Sequence, residues 1–148
     1  MKRVLSNKYV LLISRLVLGS VFIVASIDKI ALPEAFAVNI VAYKLLPYGL
    51  TNLFALIVPW MELLCGVFLI AGVFLRSSSF MVSLLLSMFT IAMITALVRG
   101  LKIDCGCFGV EHASPVSWMR VLEDLGLLVL GIHIFTLSPQ EFAEQLVE

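Results

Sequence analysis

Apolar residues dominate this chain in long blocks, not at every second or every third position. Four blocks, at about residues 9–30, 50–75, 80–98 and 118–137, each provide the ~20 residues that a helix needs to cross a hydrocarbon layer of about 30 Å. Backbone amides and carbonyls find no partners in lipid, so a crossing segment must satisfy them internally, as a helix does. Short connections between such helices favour antiparallel neighbours. The pattern predicts an all-α integral membrane protein, an antiparallel four-helix bundle forming a single membrane domain.

The polar positions mark the connections. Between the first two spans, "ALPEAFAVNIVAYKLLPYG" places Phe36, Ile40 and Tyr43 at helical spacing behind Pro33. Proline suits the first turn of a helix, so a short helix lying at the membrane interface is expected here, ending by Pro47. A tight polar turn at about residues 76–79 joins the second and third spans. The longest hydrophilic stretch, at about residues 99–117, reads "RGLKIDCGCFGVEHASPVS". An acidic tail follows Ser138.

Composition reinforces the membrane reading. Of 148 residues 61% are hydrophobic and 14% charged, against the ~25% charged typical of soluble domains, and the mean hydropathy is +1.11. Ten basic and ten acidic residues leave no net charge, so nothing points to nucleic acid. The apolar run behind Lys2, Arg3 and Lys8 is longer than a signal-peptide core and is read as a retained anchor helix. The same basic cluster favours both termini in the cytoplasm, since positive charge before a first span is held inside. The chain is then a multi-pass protein of the inner (plasma) membrane, with its long polar loop on the extracytoplasmic side.

That loop carries the candidate chemistry. Cys105 and Cys107 flank Gly106, preceded by Asp104 and followed by Phe108 and Gly109. A disulfide between residues i and i+2 closes a small, strained ring, and such a bond is readily exchanged. Glycine between the cysteines removes the steric obstacle to closing it. Arg99 and Lys102 favour a thiolate and Asp104 opposes it, so electrostatics leave open which sulfur attacks. A metal reading competes, because Cys105, Cys107 and His112 are suitable copper or zinc ligands, with Glu111 or a second chain completing the set. Cys65, in the second span, reads as a small buried apolar side chain.

Ionisable residues within spans form the second group. Glu62 lies near the middle of the second span, three residues after Pro59, where a carboxylate must face the bundle interior. Burial of a lone acid would favour its protonated form. Arg15 is expected to snorkel towards the cytoplasmic surface. Asp28 and Lys29, with Arg120 and Asp124 as an i,i+4 pair, are read as interfacial anchors gathered beneath the cysteine loop. Gly19, Gly66, Gly72, Gly126 and Gly131 are expected to let helices approach. His133 is expected as a hydrogen-bonded packing residue.

The succession of "LGSVFIVASIDKIALPEAF", "YKLLP", "VPWMELLCGVFLIAGVFLR", "RGLKIDCGCFG" and "SWMRVLEDLGLL" resembles the MauE family of methylamine utilisation, within the DoxX-like four-helix membrane proteins. The resemblance covers roughly residues 10–135, and its most specific element is "DCGCFG". It implies a role in maturing disulfide-rich periplasmic proteins beside a thioredoxin-like partner. In MauE systems that client is the light subunit of methylamine dehydrogenase. The resemblance carries the redox pair onto Cys105 and Cys107 and the membrane acid onto Glu62. Two departures stand out: Glu123 precedes Asp124 where the family often has arginine, and Cys65 has no place in the family pattern.

The expectation is therefore a membrane thiol–disulfide oxidoreductase, with Cys105 and Cys107 as the exchanging pair and Glu62, Asp104, Gly106, Arg99 and Asp124 in support. The loop would exchange disulfides with a thioredoxin-like protein or a disulfide-rich extracytoplasmic client, and electrons would enter or leave through a thioredoxin-like protein or a quinone held near Glu62. The alternatives are a metal-binding assembly protein and a non-catalytic scaffold subunit. A transport role for Glu62 would need more than four helices and hence a homodimer.

Overall fold

The computed structural model of the chain describes residues 8–104 and 115–145, with side chains described through residue 137. Five helices follow one another: α1 (Lys8–Ala31), α2 (Pro33–Ala42), α3 (Tyr48–Ala71), α4 (Leu75–Val98) and α5 (Trp118–Gln145). Among the described residues the extended structure is one isolated antiparallel bridge, Asp104 to Pro115.

Local chemistry sets the breaks. Pro33 opens α2 at its first turn, where a missing amide proton costs nothing. Pro47, in an extended conformation, precedes α3. That helix ends at Gly72, whose φ of +77° is the left-handed conformation of a helix stop. The amides of Gly72 and Val73 both donate to the Phe68 carbonyl, at 2.9 and 3.1 Å. The link between α3 and α4 thus lies at residues 72–74, earlier than the polar turn expected at residues 76–79. Those polar residues are helical because their hydroxyls find acceptors within the helix: Ser79 Oγ donates to the Leu75 carbonyl at 2.6 Å.

The helices pair antiparallel. Gly19 of α1 faces Gly66 of α3, and Arg15, one turn earlier on α1, reaches Leu69, further along α3. A Cβ added to Gly19 or Gly66 would lie 2.9 Å from the other's carbonyl oxygen, so this crossing requires glycine on both helices. Likewise α4 meets α5 through Phe80 with Phe135, Ser83 with Gly131, and Thr90 with Asp124. Contacts of α3 with α4 and of α1 with α5 close the four long helices into a ring, and α2 packs on α1 and α3.

Within the ring sit Leu18, Leu69, Val82, Met93 and Ile134, all fully buried. Outside it, bulky apolar side chains are exposed along every long helix, among them Ile13, Leu56, Ile91 and Val129. Helices apolar on both faces suit a lipid surround. Among the described residues three helices, α1, α3 and α4, are long and apolar enough to cross a membrane.

Candidate functional site

The ends of α1, α4 and α5, together with α2, build one polar region. From α1, Lys29 has no exposed surface and points into the bundle. Its ammonium donates to both carboxylate oxygens of Glu62 on α3, at 2.8 and 2.9 Å. The faces of Phe36 on α2 and Phe89 on α4 cover the same ammonium, with ring centroids 5.1 and 4.9 Å away. A buried ammonium is tolerable only with a counter-charge and polarisable cover, and it has both.

This pair corrects two expectations. Lys29 is no interfacial anchor, because its long stem runs inward along the helix instead of snorkelling out. Glu62 is no lone acid, because an opposite charge sits on both of its oxygens. The Pro59–Glu62 spacing drew attention to the acid, while the lysine was hidden by its position at a helix end. The signal for it was present: one buried carboxylate in a bundle calls for one buried cation.

Asp124, nearly two turns into α5, is 1% exposed and hydrogen-bonded to the Thr90 hydroxyl of α4. Thr90 also donates to the Leu86 carbonyl at 2.8 Å. Lys29 is close enough to act electrostatically on Asp124. Glu62 and Asp124 both line a small cavity of about 20 Å³, walled by Phe22, Ala25 and Phe89. The expected pairing of Arg120 with Asp124 is replaced by Arg120 with Glu123, at 2.7 Å on the exposed side of the helix. Burial separates the two acids: Asp124 faces α4, and Glu123 is left to the solvent-facing arginine.

Tyr43 is buried just after α2. Burial pushes its phenol up from 10.0 to about 12, and the carboxylates of Asp124 and Asp104 add to the shift. Arg99, at the end of α4, donates to the Tyr43 carbonyl at 3.2 Å. The two ends of the cysteine loop are clamped together by the Asp104–Pro115 bridge, with the Val116 amide donating to the Ile103 carbonyl at 2.9 Å. Asp104, Arg99, Asp124 and Glu62 thus belong to one end of the bundle. Cys105, Gly106, Cys107, Glu111 and His112 lie outside the described residues.

The remaining expected residues sort by burial. Cys65 is a buried thiol in the main core cluster, as its apolar surroundings suggest. Arg15 is partly exposed, and its Nε donates to the Leu69 carbonyl at 3.0 Å, in the last turn of α3. His133 Nε2 is buried with no hydrogen bond to any described residue, so its packing role lacks the expected polar partner. Gly126 has open space where a Cβ would stand and is no crossing point. A second cavity, of about 400 Å³ and mostly apolar, runs between α2, α3 and α4, with Asn39, Tyr43 and Ser87 as its polar lining.

A ring of long apolar helices around a buried lysine–glutamate pair defines an all-α membrane protein with a charged interior. The profile described as methylamine utilisation protein MauE matches residues 7–137. The methylamine utilization protein MauE of Paracoccus denitrificans is 30% identical over 135 residues, which span 90% of this chain and 73% of that one. Its counterpart in Methylorubrum extorquens is 32% identical over 116 residues, spanning 78% of this chain and 62% of the relative. That of Methylophilus methylotrophus is 27% identical over 136 residues, spanning 90% and 72%. The chain belongs to the MauE family. No solved structure matches it significantly.

Proposed function

We propose that the chain is a membrane thiol–disulfide redox protein that uses Cys105 and Cys107 to exchange disulfides with an extracytoplasmic partner. The observation that carries this reading is Cys-Gly-Cys directly after Asp104, in a loop whose ends are clamped over the polar end of the bundle. One cysteine attacks the partner's disulfide and the other resolves the mixed disulfide, or the partner's thiol attacks the loop disulfide in the reverse direction. Family membership supports a maturation role: the relatives are named for methylamine utilization, and a disulfide-rich subunit of an extracytoplasmic enzyme is the client that such a loop suits.

In this reading α5 is the fourth span. It is 28 residues long and exposes Leu122, Val129 and Ile132, as a lipid-facing helix does. Both termini then lie in the cytoplasm and the cysteine loop outside, where disulfides persist. Electrons are exchanged with a thioredoxin-like protein or with a quinone. The apolar cavity between α2, α3 and α4 is of a size and polarity to suit a quinone head group, with Phe36 and Phe89 between it and Lys29.

Trapping tests the exchange. A Cys107→Ser variant, expressed in the native host, is expected to accumulate a reductant-sensitive adduct between Cys105 and a partner protein, or Cys105→Ser the converse adduct. A Cys105→Ser, Cys107→Ser double variant that matures its client normally would reduce the protein to a scaffold. Loss of function in His112→Ala, together with loss of bound zinc or copper, would favour the metal-binding alternative.

A further inference from the structure

The cavity of about 400 Å³ between α2, α3 and α4 has a definite place relative to the membrane. α2 joins the end of α1 to the start of α3, so it lies at one end of the long helices. At that end the exposed rings of Tyr48 and Trp118 mark the membrane surface, where amphipathic aromatic side chains settle. The cavity begins there, at Asn39, Tyr43 and Leu45, and runs along α4 from Ala92 to Leu84, near the middle of that helix. With a rise of about 1.5 Å per residue, that stretch of α4 is about 12 Å long, close to the depth of one leaflet in a hydrocarbon core of about 30 Å. Leu84 and Ile91 line the cavity and are also exposed on the outside of the bundle, so it opens sideways to lipid. An apolar wall without neighbouring atoms forfeits its dispersion contacts, and hydrocarbon restores them.

Two cations stand at the mouth. Lys44 is exposed and lies between Tyr43 and Leu45, both on the cavity wall. Arg99 is also exposed and donates to the Tyr43 carbonyl at 3.2 Å, which holds its guanidinium at the same place. The acid of α2, Glu34, is in the first turn of that helix, away from the mouth. Beyond α4 the exposed Lys102 and Asp104 add one charge of each sign and leave the positive excess unchanged. Asn39 contributes a carboxamide, whose N–H groups can donate to an ester carbonyl below a head group. Positive charge at the surface, a donor beneath it and an apolar channel one leaflet deep match the phosphate, ester and acyl chain of a phospholipid. A neutral head group gains no ionic attraction from Lys44 and Arg99.

We propose that this cavity binds one acyl chain of an anionic phospholipid from the leaflet on the α2 side, with the phosphate held by Lys44 and Arg99. The inference is independent of the thiol–disulfide reading. At its inner end the chain meets Phe36 and Phe89, the rings that cover the Lys29 ammonium, and so closes that cover against water. A quinone head group reaching the same rings has to displace the chain, and the two molecules compete.

Native mass spectrometry of the purified full chain in mild detergent, with phosphatidylglycerol or phosphatidylcholine of equal chain length added, tests the site. Wild type is expected to hold one phosphatidylglycerol on the order of 10-fold more tightly than phosphatidylcholine, because basic residues at the surface favour an anionic lipid. Lys44→Gln alters an exposed side chain, so it is expected to fold as wild type does and to lose most of that preference. Ala92→Phe fills the cavity and is expected to retain neither lipid, with helix content unchanged by circular dichroism. Equal retention of the two lipids by wild type, or an undiminished preference in Lys44→Gln, overturns the head-group assignment. Retention by Ala92→Phe equal to that of wild type places the lipid elsewhere and overturns the cavity as its site. A quinone that copurifies and resists displacement by phosphatidylglycerol also overturns the proposal and gives the cavity to the quinone.

Discussion

Removing the ammonium of Lys29 is the perturbation to which the fold is most exposed. In Lys29→Met the side chain keeps most of its length and loses its charge, leaving the Glu62 carboxylate with nothing on either oxygen. Two charge-assisted hydrogen bonds disappear, at 2.8 and 2.9 Å, each worth roughly 1.5–3 kcal/mol. Part of that is recovered because methionine is cheaper to bury than an ammonium. The Glu62 side chain is 3% exposed, so water cannot replace the lost donors. The net cost is about 3–5 kcal/mol, the usual penalty for breaking one side of a buried pair. Glu62→Gln is expected to cost a similar amount by stranding the lysine. The double variant Lys29→Met, Glu62→Leu removes both charges and is expected to return to within ~1 kcal/mol of wild type. Reversible unfolding in mixed detergent micelles, followed by circular dichroism for all four proteins, measures this double-mutant cycle. Single variants as stable as wild type, or a double variant showing the plain sum of the two losses, would refute the buried-pair reasoning.

Other expectations follow from the same packing and electrostatics. Gly19→Val or Gly66→Val places atoms against a backbone carbonyl 2.9 Å away, and each is expected to lose about 1–3 kcal/mol in the same unfolding assay, while Gly126→Ala, with open space around it, is expected to change little. Tyr43 is expected to ionise at about 12 in a phenolate absorbance titration, and Tyr43→Phe removes that step. Because the folded value lies above the ordinary 10.0, the stability linked to Tyr43 is intact below pH 10 and is lost as pH rises through about 12. A Tyr43 step at 10 would mean that the phenol is not buried beside Asp124 and Asp104.

The helices were legible from hydropathy because a bilayer makes length and apolarity nearly sufficient to specify them. α1 lies within a residue of its expected bounds. The end of α3 was missed because Val73, Phe74 and Leu75 continue the apolar run, while the backbone turns on the left-handed Gly72. α4 began early because serine hydroxyls can bond back within a helix, so a polar stretch need not be a turn. At the site, Glu62 stood out as a carboxylate inside an apolar run. Its partner did not, since Lys29 sits at a span's end, where lysine ordinarily reaches for water. Choosing between Glu123 and Asp124 required knowing which side of α5 meets Thr90, and two adjacent acids give no such direction in sequence.

The central claim is that Cys105 and Cys107 form an exchangeable pair on the extracytoplasmic side. It is tested most directly in intact cells with a membrane-impermeant thiol reagent, applied before and after reduction, with the labelled residues mapped by mass spectrometry. The account predicts that both cysteines are labelled only after reductant, while buried Cys65 stays unlabelled throughout. Cysteines that remain unlabelled after reduction and react only once the membrane is permeabilised, or only once a chelator is added, would contradict it.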